Sequence, residues 1–137
     1  MPGQVAAYAS FGATLTNERW SWSARSSDGQ VVLTLWKDEF NYKTVPASYD
    51  VRGHPRLSEW TNRPGNRERI ENLKWARDHT GGKFRVVIAT AVDEGASPRK
   101  IANAFAQPKM VMRLVELNEA TGEFLAELVI GGGDARP

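Results

Sequence analysis

Apolar and polar positions alternate along several parts of the chain, and each such part predicts strands. From Arg19 to Lys37 the order RWSWSARSSDGQVVLTLWK carries a period of two on both sides of Asp28-Gly29. Strand side chains alternate between faces, and an Asp-Gly pair suits a tight type I′ turn. The stretch therefore predicts a hairpin with strands over 19–26 and 30–37. With Ser27 opposite Gln30, paired positions sum to 57. Trp20, Trp22, Ala24, Val31, Leu33 and Leu35 then share an apolar face. Ser21, Ser23, Arg25, Val32, Thr34 and Trp36 share a polar one, which Asp38 continues. KFRVVIATAV, from Lys83, is rich in β-branched residues and predicts a central strand. KMVMRLVEL and EFLAELVI flank the turn NEATG and predict a second hairpin, with Gly122 in a left-handed conformation.

The period changes in PGNRERIENLKWARDHTGG, where Ile70, Leu73 and Ala76 form a helical stripe with Arg77 at its margin. Asn66 suits the cap, Glu68 and Glu71 lie near the start, and Gly81-Gly82 suits the stop. SPRKIANAF predicts a second, short helix, with Ser97 as cap and Pro98 in its first turn. Residues 40–63 are broken by Pro46, Gly53 and Pro55 and predict an irregular loop. GGGDARP predicts a frayed end. The order hairpin, loop, helix, strand, short helix, hairpin predicts a single domain over 1–130 and a flexible tail over 131–137. The fold class expected is α+β: a small, mostly antiparallel, partly closed β-barrel with two flanking helices.

Composition narrows the function classes. A chain of 137 residues is long enough for one core, and 41% hydrophobic with 25% charged residues is ordinary for a globular domain. No apolar run reaches the length of a membrane span, and MPGQVAAYASFGA lacks the basic start and long apolar stretch of a secretory signal, so a cytoplasmic location is expected. The absence of cysteine excludes disulfides, thiolate metal sites and a cysteine nucleophile. The net charge of +2 is unevenly distributed: Arg52 to Arg85 holds nine Arg/Lys against four acids. Within it Arg52, Arg56, Arg63, Arg67, Arg69 and Lys74 are candidates for contact with a phosphate backbone. The plainer reading is a solvated helix face with its connecting loop.

The hairpin faces sort the tryptophans. Trp20 and Trp22 read as core, on the face of Leu33 and Leu35 with Trp22 opposite Leu35. Trp36 stands on the polar face beside Ser21, Thr34 and Asp38, and reads either as a stacking platform or as a ring covered by the 40–63 loop or a helix. A stacking ring beside a carboxylate suits a nucleobase: the ring supplies a π-face and the carboxylate accepts from an exocyclic amine. Asp38 and Glu39 are candidates for that acceptor, and Tyr42, Tyr49 and Trp60 for a second wall. Catalytic signatures are absent. His54 and His79 match no metal motif, neither GxSxG nor a P-loop occurs, and the Asp93-Glu94 pair lacks a following lysine at short spacing. Asp50, His54 and Glu59 share one loop, a slender hint of an enzyme. No catalytic residue, metal or cofactor is therefore expected.

RWSWSARSSDGQVVLTLWKDE, the basic helix, KFRVVIATAVDE with SPRKI, and the LVELNEATGEFLAELV hairpin together resemble the PUA-like superfamily, which includes EVE, ASCH, YTH and SRA domains. Within it the chain most resembles the small reader domains attached to HNH nucleases in modification-dependent restriction systems. The resemblance covers about residues 10–130 and is one of pattern and element order. It implies a partly closed barrel that binds DNA and takes a modified base, such as 5-methylcytosine, flipped into an aromatic pocket. Carried onto this chain, that pocket comprises Ser21, Trp22, Trp36, Asp38 and Glu39. Trp22 joins the set although the register places it on the opposite face, since a concave interior serves as core and pocket floor at once. No HNH motif is present, which implies an attached or separate nuclease partner. RNA binding, a small enzyme using Asp38, Glu39 or His54 on a nucleotide-like ligand, and an adaptor that binds only protein are the alternatives.

Overall fold

The computed structural model describes residues 3–96, 99–130 and 135–136. Its elements run α1 (Gln4–Ala9), β1 (Ser23–Arg25), β2 (Val31–Trp36), a 3-10 turn (Lys37–Glu39), β3 (Phe40–Asn41), β4 (Ser48–Asp50), α2 (Leu57–Trp60), α3 (Pro64–His79), β5 (Lys83–Ala91), β6 (Ile101–Leu117) and β7 (Phe124–Leu128). The fold is α+β. Among the described residues, seven strands form one mixed sheet in the order β1-β2-β5-β6-β7-β4-β3, with three helices. β2 and β5 are parallel; the other pairs are antiparallel.

The first hairpin forms, but one residue out of the expected register. Ser23 pairs with Leu33, Ala24 with Val32 and Arg25 with Val31, so partners sum to 56. The turn explains the slip. Gly29 alone takes a positive φ there (82°), and Asp28 does not, which rules out a type I′ turn. Ser26 N–H donates to the Gln30 carbonyl (2.7 Å) and Gly29 N–H to the Ser26 carbonyl (3.1 Å), closing a three-residue loop over 27–29. The Asp28 carboxylate holds this loop by accepting from Ser26 Oγ and from Gln30 Nε2. A slip of one residue exchanges faces. Ser23 moves to the Leu33 side, where Asn72 Nδ2 donates to its hydroxyl (2.8 Å). Trp22, whose carbonyl accepts from Thr34 N–H (2.9 Å), joins the side of Thr34 and Trp36.

Both faces of the sheet are covered. Val31, Leu33 and Leu35 meet Leu73 and Ala76 of α3, Phe84 and Val86 of β5, Met112 of β6 and Phe124 of β7 in the main core. Ala24, Val32, Val87, Ala89 and Ala104 pack under Ala7 and Tyr8 of α1 in a second one. The chain leaves β2 and, after three residues, begins β3 on the other side of the sheet. Five strand intervals in a flat sheet would separate these strands by roughly 24 Å. The four residue steps from Trp36 to Phe40 reach about 14 Å. The sheet therefore curls until β4 faces the end of β2, and the Tyr49 hydroxyl accepts from Trp36 N–H (3.1 Å) across the gap. Bulges in the β5–β6 and β6–β7 ladders accompany the curl. No ladder joins β3 to β1 or β2 among the described residues, so the sheet stays open.

Four further expectations are corrected. The 40–63 segment is not irregular throughout: between its loops it contains β3, β4 and α2, because β4 adds to the edge of β7. Asn66 does not cap α3. Pro64 occupies its first turn, Arg63 is the cap residue, and the buried Asn66 amide donates to the Thr61 and Thr121 carbonyls (3.0 and 2.9 Å). Arg77 lies outside the buried stripe, paired with Asp78 and Glu119. The helix expected from SPRKIANAF is replaced by strand from Ile101 onward, where Ile101–Phe105 pair with β5; Ser97 and Pro98 lie outside the described residues. The tail residues 131–134 and 137 lie outside them too, whereas Ala135 is buried. Gly122 takes the expected positive φ (85°). Among the described residues, no helix is long and apolar enough to cross a membrane.

Candidate functional site

The end of the curled sheet opens into a cavity of about 740 Å³. Its walls come from the N-terminal turn of α1, the segment before β1, the end of β2, the loop and α2 before α3, the start of α3, and Arg99–Ala102. Aromatic side chains dominate it: Trp20, Trp22, Trp36, Tyr49 and Trp60 all line it, with His54 beside Trp60. The hairpin slip described above is what brings Trp22 to the same side as Trp36. Trp20 and Trp22 belong to neither core cluster and are half-buried, so their expected role as core is corrected. Gly65 makes the Trp22 position possible. A Cβ there would collide with the Trp20 carbonyl oxygen and lie 2.8 Å from the Trp22 indole, so only glycine lets α3 approach this closely.

Arg69 forms the floor. Its side chain rises from α3, the residue is 7% exposed, and its guanidinium carbon sits over Trp22 (5.3 Å), Trp60 (5.3 Å) and Phe124 (5.1 Å). These are cation–π distances. Among the described residues its one hydrogen bond is Nη2 to Asn66 Oδ1 (3.3 Å), no carboxylate pairs with it, and Nε has no partner. Burial pulls its pKa below the ordinary guanidinium value. A guanidinium nevertheless remains charged in a protein.

The expected pocket residues are only partly brought together. Trp22, Trp36 and Glu39 line the cavity. Ser21 is buried beside it and accepts from Asn17 N–H (3.0 Å). Asp38 points instead to Arg99, which grips it through two nitrogens (2.8 and 2.7 Å) and covers the Trp36 ring (5.1 Å). That carboxylate raises the Arg99 pKa. One face of Trp36 is thus taken by a cation. Glu39 accepts from His54 Nε2, and His54 Nδ1 accepts from Arg56 N–H (3.0 Å). Both imidazole nitrogens are thus engaged within the protein.

The basic segment divides. Arg56, Arg63 and Arg69 line the cavity. Arg52 pairs with Asp50 and Glu116, Lys74 with Glu71 and Glu119, and Arg67 donates to the Ala120 carbonyl (3.2 Å), all toward the β6–β7 turn. Three cations of the rim, Arg19, Arg99 and Lys100, lie outside the segment and escaped the sequence reading. Nothing in the local pattern marks them; the curl of the sheet brings them in. Of the expected second wall, Tyr49 and Trp60 take part, while Tyr42 is exposed and stacks on Phe40 (5.6 Å). Tyr49 and Tyr8 are buried, which raises both hydroxyl pKa values. Asp93 and Glu94 gather no ligand set: no group of three metal-ligating side chains occurs among the described residues. Comparison with protein-family models, curated proteins and solved structures finds no match.

Proposed function

We propose that this chain is a nucleic-acid-binding module that takes a modified base, flipped out of DNA, into the aromatic cavity. In this reading the curled sheet is a partly closed barrel of PUA-like type, and its mouth is the binding site. One observation carries the proposal: five aromatic side chains surround an opening of about 740 Å³ whose lining holds six Arg/Lys against three carboxylates. The volume falls within the range of small-ligand pockets. Stacking is worth about 1–3 kcal/mol per base, and extrusion costs a few kcal/mol. The rim cations, led by Arg19, Arg56, Arg63 and Lys100, supply the phosphate contacts that offset the remainder. Cleavage then belongs to an attached or separate nuclease.

The test is binding of a labelled duplex in unmodified, 5-methylcytosine and 5-hydroxymethylcytosine forms, each at two salt concentrations, with a matched RNA as competitor. The reading expects one modified form to bind best, DNA to outcompete RNA, and affinity to fall steeply with salt. Tight binding indifferent to modification would reduce the chain to a backbone binder. No binding at low salt would discard the reading.

A further inference from the structure

The cavity floor carries information about the ligand's edge. Arg69 is a buried cation with no carboxylate partner and an unpartnered Nε among the described residues, and it lies on the cavity lining. An unsatisfied buried donor is costly, and a charged one more so. The rings of Trp22, Trp60 and Phe124 surround the guanidinium, and among the described residues Asn66 Oδ1, which accepts from Nη2, is its one hydrogen-bond acceptor. Glu39, a carboxylate of the lining whose charge acts on Arg69, is already engaged by His54 and Arg99. The unmet requirement is a lone-pair acceptor in the plane of the guanidinium.

We infer that Arg69 selects ligands presenting two adjacent acceptors on one ring edge, and so sets a preference for cytosine and guanine over adenine and thymine. The inference rests on reading the cavity as a base-binding site. Guanidinium groups match paired acceptors bidentately. Guanine offers O6 and N7, and cytosine O2 and N3. Adenine sets an amino donor beside N7, and thymine an N3–H donor beside O4, so each places a donor against a donor. A substituent at cytosine C5 lies away from the O2/N3 edge and leaves this contact intact. The two aromatic walls then fix the ring plane while Arg69 reads the edge.

The experiment uses a duplex with a single unpaired nucleotide, dA, dC, dG or dT, which removes the pairing cost. Dissociation constants are measured against the fully paired duplex for the wild type, Arg69→Lys and Arg69→Met. The expected result is that unpaired dC and dG bind the wild type about tenfold or more tighter than dA and dT, a size set by one bidentate contact. Arg69→Met should level the four, and Arg69→Lys, which keeps charge without the fork, should reduce the gap. The wild-type series stands by itself should Arg69→Met fail to fold. Equal binding of all four, each still better than paired DNA, would overturn the inference and leave the base-binding reading intact. A preference that survives in folded Arg69→Met would do the same. No gain of any unpaired base over paired DNA would overturn the reading, and the inference with it.

Discussion

Gly65 shows how a single side-chain hydrogen shapes the cavity. Its Cα abuts the Trp20 backbone and the Trp22 indole, and a methyl group has no room. Gly65→Ala should destabilise the fold by about 1–3 kcal/mol through overpacking and shift the tryptophan emission, both read in one urea titration followed by fluorescence. Tyr49 acts at the opposite wall. Its buried hydroxyl is the acceptor for Trp36 N–H, so Tyr49→Phe should cost about 1–2 kcal/mol by leaving that donor unsatisfied. An unchanged unfolding midpoint would mean that the bridge contributes nothing. These roles were not legible in the sequence. Gly65 sits in an ordinary helix start, and a buried Arg69 on the stripe of Ile70 and Leu73 contradicts the pattern by which helix faces are read. Such departures from a local rule are where functional residues are expected.

The hairpin shows what is legible at the level of an element and what is not. Alternation and Asp-Gly located β2 and, of the strand expected over 19–26, the part Ser23–Arg25, since 19–22 form no strand; β-branched density located β5. Register depends on the turn, and the turn depends on whether one residue or two adopt positive φ, which Asp-Gly leaves open. The loop instead closes through the Asp28 carboxylate and Gly29. Gly29→Ala should cost about 1–2 kcal/mol for a left-handed residue with a Cβ. Hydrogen bonds from Ser26 and Gln30 hold the Asp28 pKa below the ordinary carboxylate value. The stabilisation they give is fully present above the unfolded-state value, about 3.9, and is lost as pH falls through the lower folded value. Asp28→Asn should therefore lower the unfolding midpoint at neutral pH and narrow the gap to wild type in acid; a pH-independent gap would refute the linkage. The helix expected at Ser97 failed for a different reason. Capping residues are local, whereas Ile101–Phe105 are claimed by pairing with β5, and tertiary pairing overrides propensity.

At the scale of the molecule, the curl of the sheet makes the site. It brings the segment before β1, the end of β2, α2, the start of α3 and Arg99–Ala102 to one opening, although they are spread over most of the chain. The basic middle segment predicted a phosphate-facing patch, but charge in sequence is not charge in space. Arg52 and Lys74 turn to carboxylates around the β6–β7 turn, and Arg19, Arg99 and Lys100 replace them at the rim. Salt dependence should accordingly follow the rim: Arg63→Ala should flatten the slope of affinity against salt by about one unit in a log–log plot, and Arg52→Ala should leave it unchanged. The reverse result would move the interface to the β6–β7 turn.

The central claim is that the aromatic cavity holds a base, and one titration tests it most directly. Two duplexes identical except at one position, an unpaired base in the first and an abasic site in the second, present the same phosphates to the protein. Stacking worth about 1–3 kcal/mol should make the unpaired-base duplex bind roughly 5- to 150-fold tighter, and Trp22→Ala should shrink that advantage. Equal affinity for the two duplexes would contradict the account, leaving the phosphates as all that the protein contacts.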